Sequence, residues 1–320
     1  MGVFTESEHP RGGVHYPQTV TEFDRWFSTE AACEDYLFWV RWPTGFQCPA
    51  CGARKGRETS RGLLRCASCA RQTSATAGTI FEDTRKPLRL WFQAIWYLTS
   101  QKQGVSALGL QRVLGHGSYE TSWSWLHKLR RAMVRPGRDR LTGEVEVDET
   151  FVGAPDPETW GRERVSRSMV AVATEVRGRG IGRIRMAVVN DASADSLMPF
   201  IRNSVNEGSL IRTDGWSGYV PLPRQGYRHR PTSLRGTGLP PHVAMPRVHR
   251  IASLLKRWWL GTYHGAISEL HLDYYLDEFT FRFNRRASRA RGLLFYRLVQ
   301  QAVEIEPVPY QQLRGGKDYL

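Results

Sequence analysis

Glu144-Val145-Glu146-Val147-Asp148-Glu149-Thr150-Phe151 is the stretch on which the fold of this 320-residue chain turns. Valines alternate with acids, and a period of two means a strand with Glu146 and Asp148 on one face. Carboxylates on a strand otherwise suited to burial are costly unless they bind something, and a metal ion would answer that cost. Strand patterns recur at 168–176 and 182–189, followed by a helical pattern over 194–205. Then comes Leu210-Ile211-Arg212-Thr213-Asp214-Gly215, a short apolar strand ending in an acid. An aspartate just past a strand end is placed to meet an aspartate from a neighbouring strand. Taken singly, Asp148 also reads as a cap, and Asp214 as a turn residue ahead of Gly215.

Three strands, a helix and a further strand match the opening of an RNase H-like fold, an α/β class with a mixed sheet and flanking helices. In that fold two such aspartates share divalent metal. A third ligand is expected from a later helix, and Val248–Trp259 (VHRIASLLKRWW) has the helical pattern. His249 is its candidate. Lys256 lies nearly two turns further on the same face, so one face offers a metal ligand and a cation for phosphate. A lone histidine on an amphipathic helix is as readily structural. The assignment rests on the whole set arriving in order.

Four of the five cysteines form Cys48-Pro-Ala-Cys51-Gly and Cys66-Ala-Ser-Cys69. Each CxxC turn can aim two thiolates at one ion, and two turns complete a closed tetrahedral site suited to structural Zn²⁺. So short a module buries little apolar surface, so metal ligation would supply its folding energy. Cys33 stands apart and reads as a small buried residue.

Between these modules, helices are expected from Pro87 to Leu98, Ser106 to Leu114 and Ser118 to Met133, with Gly115-His116-Gly117 breaking the second. A helix, a short glycine turn and a basic helix outline a helix-turn-helix DNA reader. A small bundle with solvated charges fits the segment equally well. Lys128, Arg130 and Arg131 head a basic cluster running to Arg140 that can neutralise phosphates. The formal charge of +14, from 45 Lys+Arg against 31 Asp+Glu, favours a polyanionic partner. Arg282, Arg285, Arg286, Arg289 and Arg291 form a second run, read either as a DNA-channel wall or as stems packed on Phe281 and Phe283. No apolar run approaches a membrane span and the N-terminus lacks an apolar signal segment, so a soluble intracellular protein is expected.

These features are joined by Val147-Asp148-Glu149-Thr150-Phe151-Val152-Gly153, Thr213-Asp214-Gly215, Leu254-Leu255-Lys256-Arg257, Gly261-Thr262-Tyr263-His264-Gly265, and Tyr275-Leu276-Asp277-Glu278-Phe279 with Arg282-Phe283-Asn284-Arg285-Arg286. Together they make the chain, from about residue 20 to 303, resemble bacterial insertion-sequence transposases with an N-terminal zinc ribbon and an RNase H-like DDE-type domain. The resemblance implies that Asp148 and Asp214 are the first two catalytic acids and that Lys256 is the family's following lysine. His249 stands where the family commonly has Glu or Asn. Mg²⁺ favours oxygen ligands and imidazole suits softer ions, so the catalytic metal is expected to be Mg²⁺ or Mn²⁺.

The implied organisation is an arm with short helices over 1–43, the zinc ribbon over 44–75, a helix-turn-helix-like DNA-binding segment over 76–140, the catalytic domain over 141–305 and a tail over 306–320. The implied activity is metal-dependent cleavage at the ends of an insertion sequence and transfer of the 3′-end into target DNA. Lys128, Arg130, Arg131, Arg285 and Arg286 are the candidate DNA contacts. Double-stranded DNA would be the partner, in a complex of at least two copies, in the cytoplasm at the nucleoid and without a membrane. A DNA-binding regulator or inactive remnant would need the ribbon but not the triad. A nuclease of the same fold would cut without joining.

Overall fold

The computed structural model describes residues 10–11, 14–135, 137–153, 168–232, 241–265 and 267–315. Much of the expected N-terminal arm (1–9, 12 and 13) and the end of the tail (316–320) lie outside the described residues. Those described fall into two units: the chain up to Arg135 together with Ser288–Arg314, and residues 137–287 with Gly315.

In the first unit, α1 (Val20–Trp26) and α2 (Glu30–Arg41) each open on a threonine, Thr19 and Thr29, whose hydroxyl accepts the third amide of its helix. The ribbon strands β1 (Gly56–Glu58), β2 (Leu64–Cys66) and β3 (Gln72–Thr73) form an antiparallel meander. Three helices follow: α3 (Leu88–Ser100), α4 (Ala107–Leu114) and α5 (Tyr119–Ala132). Gly115 closes α4 at φ +66°, a conformation open to glycine without strain, and the Ser118 hydroxyl caps α5 by accepting the Thr121 amide.

The second unit is built on one five-stranded sheet. Its elements are β4 (Glu144–Val152), β5 (Ser168–Arg177), β6 (Gly180–Val189), α6 (Ala194–Ser204), β7 (Leu210–Thr213), β8 (Arg228–Pro231), α7 (Pro241–Ala244), α8 (Pro246–Tyr263) and α9 (Leu272–Asn284). The strand order is β6-β5-β4-β7-β8. β4, β5 and β6 are antiparallel neighbours, whereas β7 runs parallel to β4, and β8 to β7. Alternation divides the core as the sequence requires. Val145, Val147, Ala171 and Ala173 face Leu197 and Ile201 of α6. Val170, Val172, Ile184 and Met186 face α8 and α9 through Val248, Ile251, Leu255, Leu276 and Phe279. This is the mixed-sheet, helix-flanked class expected of an RNase H-like domain.

One edge of that sheet is closed by side chains rather than by a strand. α9 runs beside β6: Asn284 accepts the Ile184 amide (2.8 Å) and donates to the Ile184 carbonyl (3.2 Å), and Asp273 accepts the Val188 amide (3.2 Å). Arg286 donates to the carbonyls of Gly182 and Ile181.

α10 (Arg291–Ala302) and α11 (Tyr310–Arg314) complete the first unit. The ring of Phe295 sits among Phe23, Phe27, Phe92 and Trp96, at centroid distances of 5.5 to 5.9 Å. The compact unit that holds the sheet gives way to the first unit at Ser288, short of the 305 expected for the catalytic domain, because the apolar face of α10 is taken up by α1 and α3. No described helix is long and apolar enough to cross a membrane.

Candidate active site

The parallel register of β4 and β7 pairs Glu144 with Leu210 and Glu146 with Arg212. Two residues further along both strands stand Asp148 and Asp214, so adjoining strands deliver both acids to the same end of the sheet. His249, near the start of α8, places Nε2 3.6 Å from Asp148 Oδ2. Lys256 is exposed on the same helix, two turns on. The three expected ligands thus come from three elements on one side of the unit.

The electrostatics are those of carboxylates short of positive charge. Burial, then the charges of Glu149 and Asp214, lifts the Asp148 carboxyl from 3.8 to about 7, with only 16% of its side chain exposed. Asp214 is held by its own turn, accepting the Trp216 amide (2.9 Å). Thr213, just before it, accepts the Gly215 amide (3.1 Å) and bonds His229 Nε2 on β8 (2.9 Å). Gly218 packs the following loop so closely that an added Cβ would sit 2.3 Å from the Ala192 carbonyl oxygen. Two carboxylates and an imidazole suit a divalent cation of intermediate softness. Among the described residues, however, only the four ribbon cysteines have three or more candidate ligand atoms drawn within 4.8 Å of one another.

Two acids flanking Asp148 have other duties, which the sequence did not disclose. Glu149 points to the opposite sheet face and accepts the hydroxyl of buried Tyr219; burial raises its carboxyl, and the Tyr219 bond opposes that rise. Glu146 is fully buried and is taken up by the first turn of α8 and by arginines, so no metal is needed to compensate it. The only signal for Glu149 was the alternation, which set it apart from Asp148. For Glu146 there was none, since its partners lie about a hundred residues away.

The ribbon sulfurs converge as the spacing predicts. Cys48 and Cys69, and Cys51 and Cys66, approach to 3.6 Å, and all four sulfurs lie within 4.8 Å of one another. Tetrahedral Zn²⁺ with bonds of about 2.3 Å separates its sulfurs by about 3.8 Å, so the set fits a closed structural zinc site. Each knuckle is the same turn: Gly52 N–H donates to the Cys48 carbonyl and Ala70 N–H to that of Cys66, with both donors at positive φ. Cys33 is buried, and burial raises its thiol to about 12, as an inert core residue should behave.

The basic residues are placed differently from expectation. Arg130, expected as a DNA contact, is 1% exposed. The reason is packing: α5 is enclosed by α4, α10 and α11, which leaves Lys128 and Arg131 only half-buried and Arg130 inside. Arg285 and Arg286 lie over the rings of Phe281 and Phe283, at 4.1 and 3.9 Å, and Arg286 also closes the β6 edge. The rings are those named in the packed-stem reading, but it is the guanidinium groups that lie over them.

Comparison with known proteins agrees with the geometry. Residues 140–284 match an ISXO2-like transposase domain, ending at the last residue of α9, and residues 28–72 match a transposase zinc-ribbon domain. A Halobacterium salinarum protein described as an uncharacterized protein in transposable element ISH50 is 28% identical over 280 residues, spanning 80% of this chain and 91% of the relative. A chain of the simian T-cell lymphotropic virus intasome, solved in complex with PP2A regulatory subunit B56 gamma, is 13% identical, covering 63% of this chain and 74% of that one. Its TM-score of 0.29 is too low to carry an argument. With ribbon and catalytic domain matched in that order along the chain, the protein belongs to the insertion-sequence transposases that couple an N-terminal zinc ribbon to an RNase H-like DDE-type domain.

Proposed function

We propose that this transposase binds the ends of its insertion sequence, cuts there, and joins the freed 3′-end to target DNA. The observation that carries the reading is the delivery of Asp148 and Asp214 to one end of the sheet by adjoining parallel strands, with His249 3.6 Å from Asp148. Asp148 and Asp214 would hold divalent Mg²⁺ or Mn²⁺, and His249 would complete one coordination shell. Such cations activate the attacking water or 3′-hydroxyl and stabilise the leaving oxygen. Asp148 must give up its proton to bind one. Exposed Lys256 holds a phosphate beside the scissile bond, and the ribbon with α4 and α5 engages element-end duplex. Both ends must be held together, so the working complex contains at least two copies, acting on chromosomal DNA in the cytoplasm.

The test is a labelled duplex bearing an element end, incubated with Mn²⁺ and a target plasmid. Wild type nicks the end and joins it. Asp148→Asn binds the duplex with unchanged affinity but does neither. His249→Glu keeps part of the activity and shifts its preference from Mn²⁺ to Mg²⁺, because a carboxylate restores an all-oxygen site. Binding without any nicking by wild type would identify a regulator or remnant. Nicking without joining would identify a nuclease.

A further inference from the structure

Glu146 is 0% exposed and lies on the same strand face as Asp148. A carboxylate buried so completely is strongly unfavourable unless its oxygens are all engaged. Oε2 accepts the backbone amides of Arg247 (2.8 Å) and Val248 (3.0 Å), the second and third residues of α8. Oε1 accepts the Arg247 guanidinium (3.0 Å) and has Arg212 at 3.7 Å. α8 has no side-chain cap of its own: Met245 stands at the cap and Pro246 follows. Glu146 therefore caps the helix from another element, and its negative charge sits where the helix start is electropositive. Two consecutive amides held by one oxygen fix both the height of the helix start and its rotation about its axis.

The positions of these residues follow a pattern. Glu146, Arg212 and Arg247 each stand two residues before Asp148, Asp214 and His249 respectively. Arg212 also donates to the Ala244 carbonyl (2.8 Å) and pairs with Glu144 (3.2 Å), tying β7 to the segment that leads into α8. One ion cluster around buried Glu146 thus joins the three elements that carry the three candidate site side chains, one step removed from each. Both Glu146 oxygens are engaged by α8 and the arginines, so neither is directed at the Asp148 site.

We propose that Glu146 is a positioning residue, which sets His249 against Asp148 by capping α8 from strand β4. This rests on the reading of Asp148, Asp214 and His249 as the divalent-cation site. Partners of metal ligands held at this remove change metal affinity about 10- to 100-fold when altered. Glu146→Gln keeps the shape but removes the charge that the two amides and Arg247 share.

The experiment measures Mn²⁺ affinity by calorimetry on the full, zinc-loaded chain, with thermal unfolding alongside. It compares wild type, Glu146→Gln, His249→Ala, the double variant, and Asp148→Asn. Glu146→Gln should weaken Mn²⁺ about tenfold. Because Glu146 acts through His249, the loss in the double variant should fall well short of the product of the single losses. If Glu146→Gln does not fold, Arg247→Lys serves in the same cycle, since it keeps the backbone amide and removes the guanidinium. Losses that multiply, or a Glu146→Gln protein that binds Mn²⁺ like wild type, overturn the positioning role while the metal site stands. Mn²⁺ binding that survives Asp148→Asn overturns the site itself, and the inference with it.

Discussion

Without the proposed divalent cation, the candidate active site should make this protein less stable as pH rises, and Asp148 is the group responsible. Its carboxyl is lifted from 3.8 to about 7 by burial, then by Glu149 and Asp214. Below pH 3.8 both the folded and unfolded chains hold the proton. Between there and about 7 the unfolded chain releases it and the folded chain keeps it, so each step upward favours unfolding. Above that range the full penalty applies, about 4 kcal/mol at about 1.4 kcal/mol for each tenfold in proton affinity. Asp148→Asn carries no charge to penalise. It should match wild type near pH 4 and exceed it by about 4 kcal/mol at pH 8, roughly 8–16 °C in midpoint for a domain of this size. Glu149, also raised by burial, contributes a smaller slope of the same sign that remains in the variant. Thermal unfolding of the zinc-loaded chain from pH 4 to 8.5, without other divalent ions, reads the difference. Adding Mn²⁺ at pH 8 should raise the wild-type midpoint and leave Asp148→Asn unmoved. A gap between the two proteins that stays constant with pH, or narrows as pH rises, would refute the reasoning.

Cys51→Ser should lose the single zinc by elemental analysis and unfold 44–75, since the ribbon's buried apolar residues are little more than Trp42, Phe46 and two of the ligands themselves. Arg130→Ala should cost about 3 kcal/mol or more in chemical denaturation, as expected of a buried charged side chain, and leave the salt slope of DNA binding unchanged. Arg131→Ala should do the reverse, with little loss of stability and a salt slope reduced by about 1. Gly218→Ala, whose Cβ would meet the Ala192 carbonyl at 2.3 Å, should cost about 1–3 kcal/mol and weaken Mn²⁺ binding through the loop after Asp214.

What the sequence disclosed was local. The knuckle spacing of Cys48, Cys51, Cys66 and Cys69 reads directly because each ligand pair is two residues apart within a single turn. The alternation in β4 separates Val145 and Val147 from Asp148 because period two is a property of the strand alone. What the sequence does not disclose lies in contacts between distant segments. Arg130 looks solvated in sequence, but α10 and α11, more than 150 residues later, help to enclose its helix. Phe295 looks like the continuation of α9's domain until its ring is found among Phe23, Phe27 and Phe92. Glu146 shares the face of Asp148 and so looked like a metal ligand. Only the fold shows that its charge is answered by the start of a helix 101 residues on.

The side chains along β6 also determine how copies of this domain can meet. A strand at a sheet border with free amides and carbonyls is a template for another chain, and a row of such borders grows into fibres. Here Asn284, Asp273 and Arg286 occupy the amide and carbonyl of Ile184, the amide of Val188 and the carbonyls of Gly182 and Ile181, while β8 at the opposite border ends in Pro231, which has no amide to offer, and carries Arg228 and Arg230. Among the described residues both borders are thus blunted against strand-to-strand growth. Asn284→Ala would expose the Ile184 amide and carbonyl together, turning a closed border into a site where one copy could zip onto the next.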